Sequence, residues 1–154
     1  MKRPIMAGNW KMNMTPAESV VLSQSISNRY KGSWDKVDVV LFPPSIDLRS
    51  VFTVLDFDKS LIEVVAQNVH WEPSGAYTGE ISIPMLKDVG CTWCIVGHSE
   101  RRSMFGARPE VRKISLVRLP GSRPAGLTSA VLGIRFSRCP PSGRSCLLRN
   151  NELI

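Results

Sequence analysis

The stretch CTWCIVGHSERRSMFGARPEVR, residues 91–112, changes character twice in a few turns of chain. Residues 91–97 form an apolar run closed by Gly97, as a short strand buried on both faces requires. A histidine follows at once, then a charged segment opening at Ser99. Beyond Phe105 and Gly106 the chain turns to arginine, serine and proline, so the fold is to be read from what precedes Gly106.

Working back from His98, apolar runs and helix signals alternate. LIEVVAQNV (61–69) is a near-continuously apolar strand, VDVVLF (37–42) is another, stopped by Pro43 and Pro44, and PIMAGNW (4–10) is the first. Between them lie helices. In TPAESVVLSQSISNRYKG (15–32), Thr15 is a cap, Pro16 suits the first helical position and Glu18 completes a capping box. Val21, Leu22, Ser25, Ile26 and Arg29 lie along a stripe whose apolar members are expected to face a sheet. SIDLRSVFTVL (45–55) is a helix with Ser45 as its cap, and SIPMLKDVG (82–90) is a short one ending at Gly90. The connection 70–80, HWEPSGAYTGE, is long and polar for a compact domain, a feature that marks functional loops.

Strands alternating with helices at this spacing imply parallel βαβ units. Functional residues of such folds gather where strands end. Asn9 and Lys11 leave the first strand, Gln67 and Asn68 the third, and His98 the fourth, so three polar clusters are expected on one face.

Composition bounds the reading. A chain of 154 residues that is 43% hydrophobic suits a domain with a real core. No run of about 18 apolar residues indicates a membrane span, and no secretory leader is recognised. A cytoplasmic protein with reduced thiols is expected. The net charge of +7 is confined to residues 106–154, which hold 9 basic and 2 acidic residues and a single aromatic, Phe136; residues 1–105 are balanced at 11 and 11. A nucleic-acid partner would rest on that composition alone and is not expected. Cys91 and Cys94 form a C-x-x-C, but on a strand their side chains would point to opposite faces, and no metal site is expected. Trp10 and Trp71 read as packing residues at a strand end and a loop base.

AGNWKMN (7–13), AQNVHWEPSGAYTGEIS (66–82) and VGHSERR (96–102), in that order, resemble the triosephosphate isomerase family closely. The resemblance runs over about residues 4–106. It implies an α/β fold of the TIM (β/α)8 barrel family with the first four βα units present, and interconversion of dihydroxyacetone phosphate and glyceraldehyde 3-phosphate through an enediolate, with no cofactor and no metal. It further implies that Asn9 and Lys11 contact a small phosphorylated triose, with Lys11 as a fixed positive charge, and that His98 polarises the carbonyl and shuttles protons. Ser99-Glu100-Arg101-Arg102 would then be a helical start with N–H groups aimed at a neutral imidazole, the arrangement this family is known for. Glu100 resembles the family's active-site glutamate beside lysine and histidine; taken alone it is equally an ordinary solvated partner of Arg101 or Arg102. Loop 72–82, with Tyr77, Thr78 and Gly79, resembles the segment that reaches a neighbouring subunit, which implies a homodimer.

Residues 107–154 depart from the family pattern and are expected to be an unassigned Arg/Ser/Pro-rich tail, frame-shifted in origin or disordered. The family's Tyr-Glu-Pro-x-Trp segment, which carries the general base, is not found, and Glu72 in WEPSG belongs to the third loop by order. Loss of a general base removes roughly 10²- to 10⁴-fold in rate. Two expectations follow: an isomerase by descent, or a catalytically inactive truncated half barrel. Four parallel strands alone would leave two open sheet edges.

Overall fold

The computed structural model describes residues 4–33, 35–106, 115–119, 132–133 and 147–148. In chain order these form β1 (Ile5–Asn9), α1 (Pro16–Tyr30), β2 (Asp38–Phe42), a 3-10 turn (Ser45–Asp47), α2 (Leu48–Phe57), β3 (Glu63–Ala66), α3 (Ile83–Val89), β4 (Trp93–Val96), α4 (Ser99–Met104), β5 (Ser115–Arg118), β6 (Leu132–Gly133) and β7 (Leu147–Leu148). Strands β1 to β4 lie side by side and parallel, in the order of the sequence. This is half of a barrel wall with helices on its outer face, as expected.

The period-2 alternation of these strands splits the core in two. Val39, Leu41, Val64, Ala66 and Cys94 join Leu48, Val51, Leu55 and Leu86 of the helices. The intervening Val40, Phe42, Val65, Trp93 and Ile95 gather on the opposite face with Ile5 and Leu116. Both faces of β2 are therefore buried, which is why it reads as an uninterrupted apolar run.

The expectation of two open edges is corrected. β5 pairs antiparallel with β4 over four residues, from Val96 opposite Ser115 to Trp93 opposite Arg118, and β6 continues the sheet beyond it. On the far side β7 pairs antiparallel with β1. An exposed ladder of N–H and C=O groups is satisfied equally well by a strand of either direction, and an antiparallel one needs no helical crossover.

Local signals fare unevenly. At the start of α1 the Glu18 carboxylate accepts from both the N–H and the hydroxyl of Thr15, at 2.8 and 2.9 Å. The buried face of that helix is not the expected one, however. Ser19, Ser23, Ser27 and Tyr30 are buried, Leu22 and Ile26 only partly, and Val21 is exposed. Small residues at a four-residue spacing let α1 lie close to α2, and the Ser19 hydroxyl donates to the buried Asp47 carboxylate at 2.6 Å. Ser45 is likewise not a cap: it begins the 3-10 turn behind Pro44, without a side-chain capping bond. Ser82 does cap α3, accepting from the Met85 N–H. Gly90 closes α3 at φ 107°, and a Cβ there would stand 2.4 Å from the Phe52 ring, so the position needs glycine on two counts.

The placement of Cys91 and Cys94 on opposite faces is also corrected. β4 begins only at Trp93, so Cys91 belongs to the turn after α3, and both thiols are buried in the helix-side core. Burial pushes each up to about 12, which keeps them protonated near neutral pH. Among the described residues, no helix is long and apolar enough to cross a membrane.

Candidate active site

The C-terminal ends of β1, β3 and β4 deliver Asn9, Gln67 and His98 to one edge of the sheet, because parallel strands all end on the same side. Immediately after β1 the backbone turns sharply. Lys11 has φ 55°, a left-handed conformation that costs a residue with a Cβ about 1–3 kcal/mol unless its surroundings hold it. They do so from both sides. The Lys11 N–H donates to Asn9 Oδ1 at 2.9 Å, and the Lys11 carbonyl accepts from Gln67 Nε2 at 2.9 Å. Next along the loop, Asn13 donates to the Trp10 carbonyl, while Trp10 is buried and its N–H donates to the Phe42 carbonyl at 3.1 Å.

The side chain of Lys11 reaches the residues after β4. Its Nζ lies 2.6 Å from Glu100 Oε1, in a pair roughly half exposed on each side. Glu100 also meets His98 twice: its backbone N–H donates to His98 Nδ1 at 3.3 Å, and its Oε2 lies 3.4 Å from the same nitrogen. His98 is thus the cap of α4, and Arg102 closes the turn by donating its N–H to the His98 carbonyl at 3.1 Å and its guanidinium to the Gly97 carbonyl.

A nitrogen that accepts from a backbone N–H carries no proton, so Nε2 holds the hydrogen of the neutral ring. The electrostatics agree. Partial burial holds His98 below the ordinary histidine range, and the cations of Lys11 and Arg102 add to that effect, while Glu100 opposes it. The result is a neutral imidazole beside a carboxylate that also holds the Lys11 ammonium, able to donate a hydrogen bond to a carbonyl oxygen without being an acid.

His98, Lys11, Glu100 and Asn9 are therefore brought together, as the sequence leads one to expect. Tyr77, Thr78 and Gly79 belong to a separate piece of structure. The loop after β3 folds on His70, whose N–H donates to the Ile81 carbonyl and whose Nδ1 accepts from the Glu72 N–H at 3.1 Å. Trp71 stacks on the His70 ring at 4.1 Å and Tyr77 packs tilted against it at 4.2 Å. Trp71 remains mostly exposed, more than a packing residue at a loop base would be. Thr78 is exposed at the tip, Gly79 takes φ 90°, and Asn68 ties the return of the loop through Glu80 at 3.3 Å. The role of His70 in organising this loop leaves no trace in the sequence, since a histidine beyond a strand gives no signal that rings will close around it.

Comparison with known proteins bears on this geometry. The family model described as triosephosphate isomerase matches residues 4–116, ten residues beyond the expected end of the resemblance. The chain is 42% identical over 137 residues to a triosephosphate isomerase of Saccharopolyspora erythraea, a match covering 87% of this chain and 52% of that one. That alignment reaches well into the segment set apart as a tail. It is 49% identical over 104 residues to one from Rhodococcus jostii, covering 67% and 40%, and 47% identical over 111 residues to one from Thermoanaerobacter pseudethanolicus, covering 72% and 43%. The chain spans about half the length of the curated relatives it matches.

Proposed function

The chain belongs to the triosephosphate isomerase family, and from that premise we propose that its described residues build the carbonyl-polarising half of a site that interconverts dihydroxyacetone phosphate and glyceraldehyde 3-phosphate. The observation that carries this reading is the hydrogen bond from the Glu100 N–H to His98 Nδ1, beside the Lys11–Glu100 pair. In the proposed reaction His98 Nε2–H donates to the substrate carbonyl oxygen as negative charge develops there, and the same ring then passes the proton between the two oxygens of the enediolate. Lys11 supplies a positive charge for the phosphate and the oxyanion, with Glu100 holding its ammonium in place and Asn9 fixing the backbone beneath it. The steps move protons only and call for no cofactor. A cytoplasmic place in triose phosphate metabolism and a homodimer joined through Tyr77, Thr78 and Gly79 belong to the same proposal.

The carbon-bound proton needs a base. Among the described residues, Glu100 is the carboxylate that touches His98 and Lys11, and it is already engaged by both. That observation favours a second reading, in which this chain binds the triose phosphate without turning it over. One experiment separates the two. Dihydroxyacetone phosphate is added to the full chain in D2O, with the His98 ring signals and deuterium incorporation followed by NMR. Saturable movement of the His98 signals, lost in Lys11→Met, with no deuterium above background, supports a site that polarises but lacks a base. Incorporation abolished by His98→Ala would show that the chain supplies a base too, and an unmoved His98 spectrum would overturn the substrate assignment.

A further inference from the structure

We infer that Gln67 is a positioning residue for this site, holding Lys11 in its left-handed backbone conformation so that the ammonium meets Glu100 beside His98. This rests on the functional reading above for its importance to isomerisation, though not for its geometry.

Gln67 follows directly on β3, two strands away from the loop that carries Lys11. Its side chain spans that gap. One amide nitrogen donates to the Phe42 carbonyl at the end of β2, at 2.8 Å, and to the Lys11 carbonyl beyond β1, at 2.9 Å. Both neighbours are acceptors without a hydrogen to give, so the group facing them must be the NH2 end, and its two hydrogens match the two carbonyls. The Phe42 carbonyl also takes the Trp10 N–H, so one oxygen at the end of β2 joins the loop after β1 to the end of β3. A glutamate could not donate there, and an asparagine is one methylene short of the same reach.

The consequence follows from the backbone of Lys11. Its N–H is satisfied from within its own loop by Asn9, but its carbonyl is held from another strand. With that second tie gone, a residue at φ 55° is free to relax toward the ordinary negative region, and such a rotation swings the side chain away from Glu100. The charges acting on His98 would then change together. Lys11 and Arg102 lower its proton affinity and Glu100 raises it, so moving Lys11 away removes a lowering influence and leaves Glu100 free to act on the ring.

The test is an NMR titration of the His98 ring in the full chain, the Gln67→Met and Lys11→Met variants, and the double variant, each first confirmed folded from its backbone amide spectrum. The expected result is an upward shift of the His98 midpoint in Gln67→Met and in Lys11→Met, with the double variant matching Lys11→Met alone, since Gln67 acts through Lys11. A Gln67 that only ties the strands together would lower stability and leave the His98 midpoint where it is, and that result overturns the inference. So does a further shift when Gln67→Met is added to Lys11→Met. If Gln67→Met does not fold, the wild-type chain decides: both side-chain amide hydrogens of Gln67 are expected to exchange slowly with solvent, and fast exchange of either rules the inference out. None of these readouts uses substrate, so a failure of dihydroxyacetone phosphate to bind would remove the functional reading and leave this one standing.

Discussion

The inner strands of this sheet and the ones that flank it are joined by different geometry. β1 to β4 run parallel and return through helices, so each sends its C-terminal end to the same edge, and Asn9, Gln67 and His98 arrive there together. β5 runs the other way. Its first residue, Ser115, lies opposite Val96, the last of β4, so it brings a strand beginning to the edge where its neighbour brings a strand ending. In an all-parallel barrel the next strand would add another loop to the site at that point. An antiparallel neighbour satisfies the ladder equally well and brings its N-terminal end to that edge instead. Sheet completion and site completion are therefore separate physical requirements: β5 meets the first without presenting a C-terminal strand end beside β4.

The largest effect expected from this contrast is in the centre. Phe42, fully buried in β2, is predicted to cost about 3–5 kcal/mol on replacement by alanine, read from urea unfolding midpoints. Leu116 of β5 is buried in the same cluster, so Leu116→Ala is expected to cost roughly 2–5 kcal/mol. A change near zero there would show that β5 does not pack as part of the core. Ser82→Ala, which removes the cap of α3 beyond the long loop, should cost about 1 kcal/mol, with helix exchange rates confirming that the loss is local. The smallest effect is a pH dependence from His98. Its folded proton affinity is below the ordinary value of 6.5, so the unfolded chain binds the proton more readily. The contribution to stability is complete above about 6.5 and is lost as pH falls through the lower, folded value. Unfolding midpoints of wild type and His98→Gln should therefore converge on acidification over that window; a constant difference would contradict the depressed titration.

The expected elements and the observed ones agree closely from Ile5 to Met104, and the reason is local. Buried parallel strands are written as runs such as VVLF, and caps such as Thr15, Ser82 and Gly90 mark helix ends with chemistry that acts over three or four residues. The disagreements share a cause as well. Ser19, Ser23 and Ser27 carry no hydrophobic signal, and only the close approach of α2 makes them the buried face. Ser45 fits a capping pattern that the 3-10 turn behind Pro44 overrides. Cys91 lies before its strand rather than on it, which a two-residue uncertainty in an element boundary is enough to hide.

The candidate site divides along the same line. By itself the sequence determined which side chains stand at strand ends, because periodicity and turn residues place Asn9, Lys11, Gln67 and His98 just past their strands, and three quoted motifs identify the family. Only the tertiary structure decided what those groups do to one another. The left-handed turn at Lys11 with its carbonyl held from β3, the reach of Gln67 across β2 and the pairing of Lys11 with Glu100 all depend on contacts between distant parts of the chain. Such contacts are set by strand order and register, which a linear pattern does not encode, since each strand's hydrophobic alternation is satisfied by many neighbours and the polar side chains at its end are not.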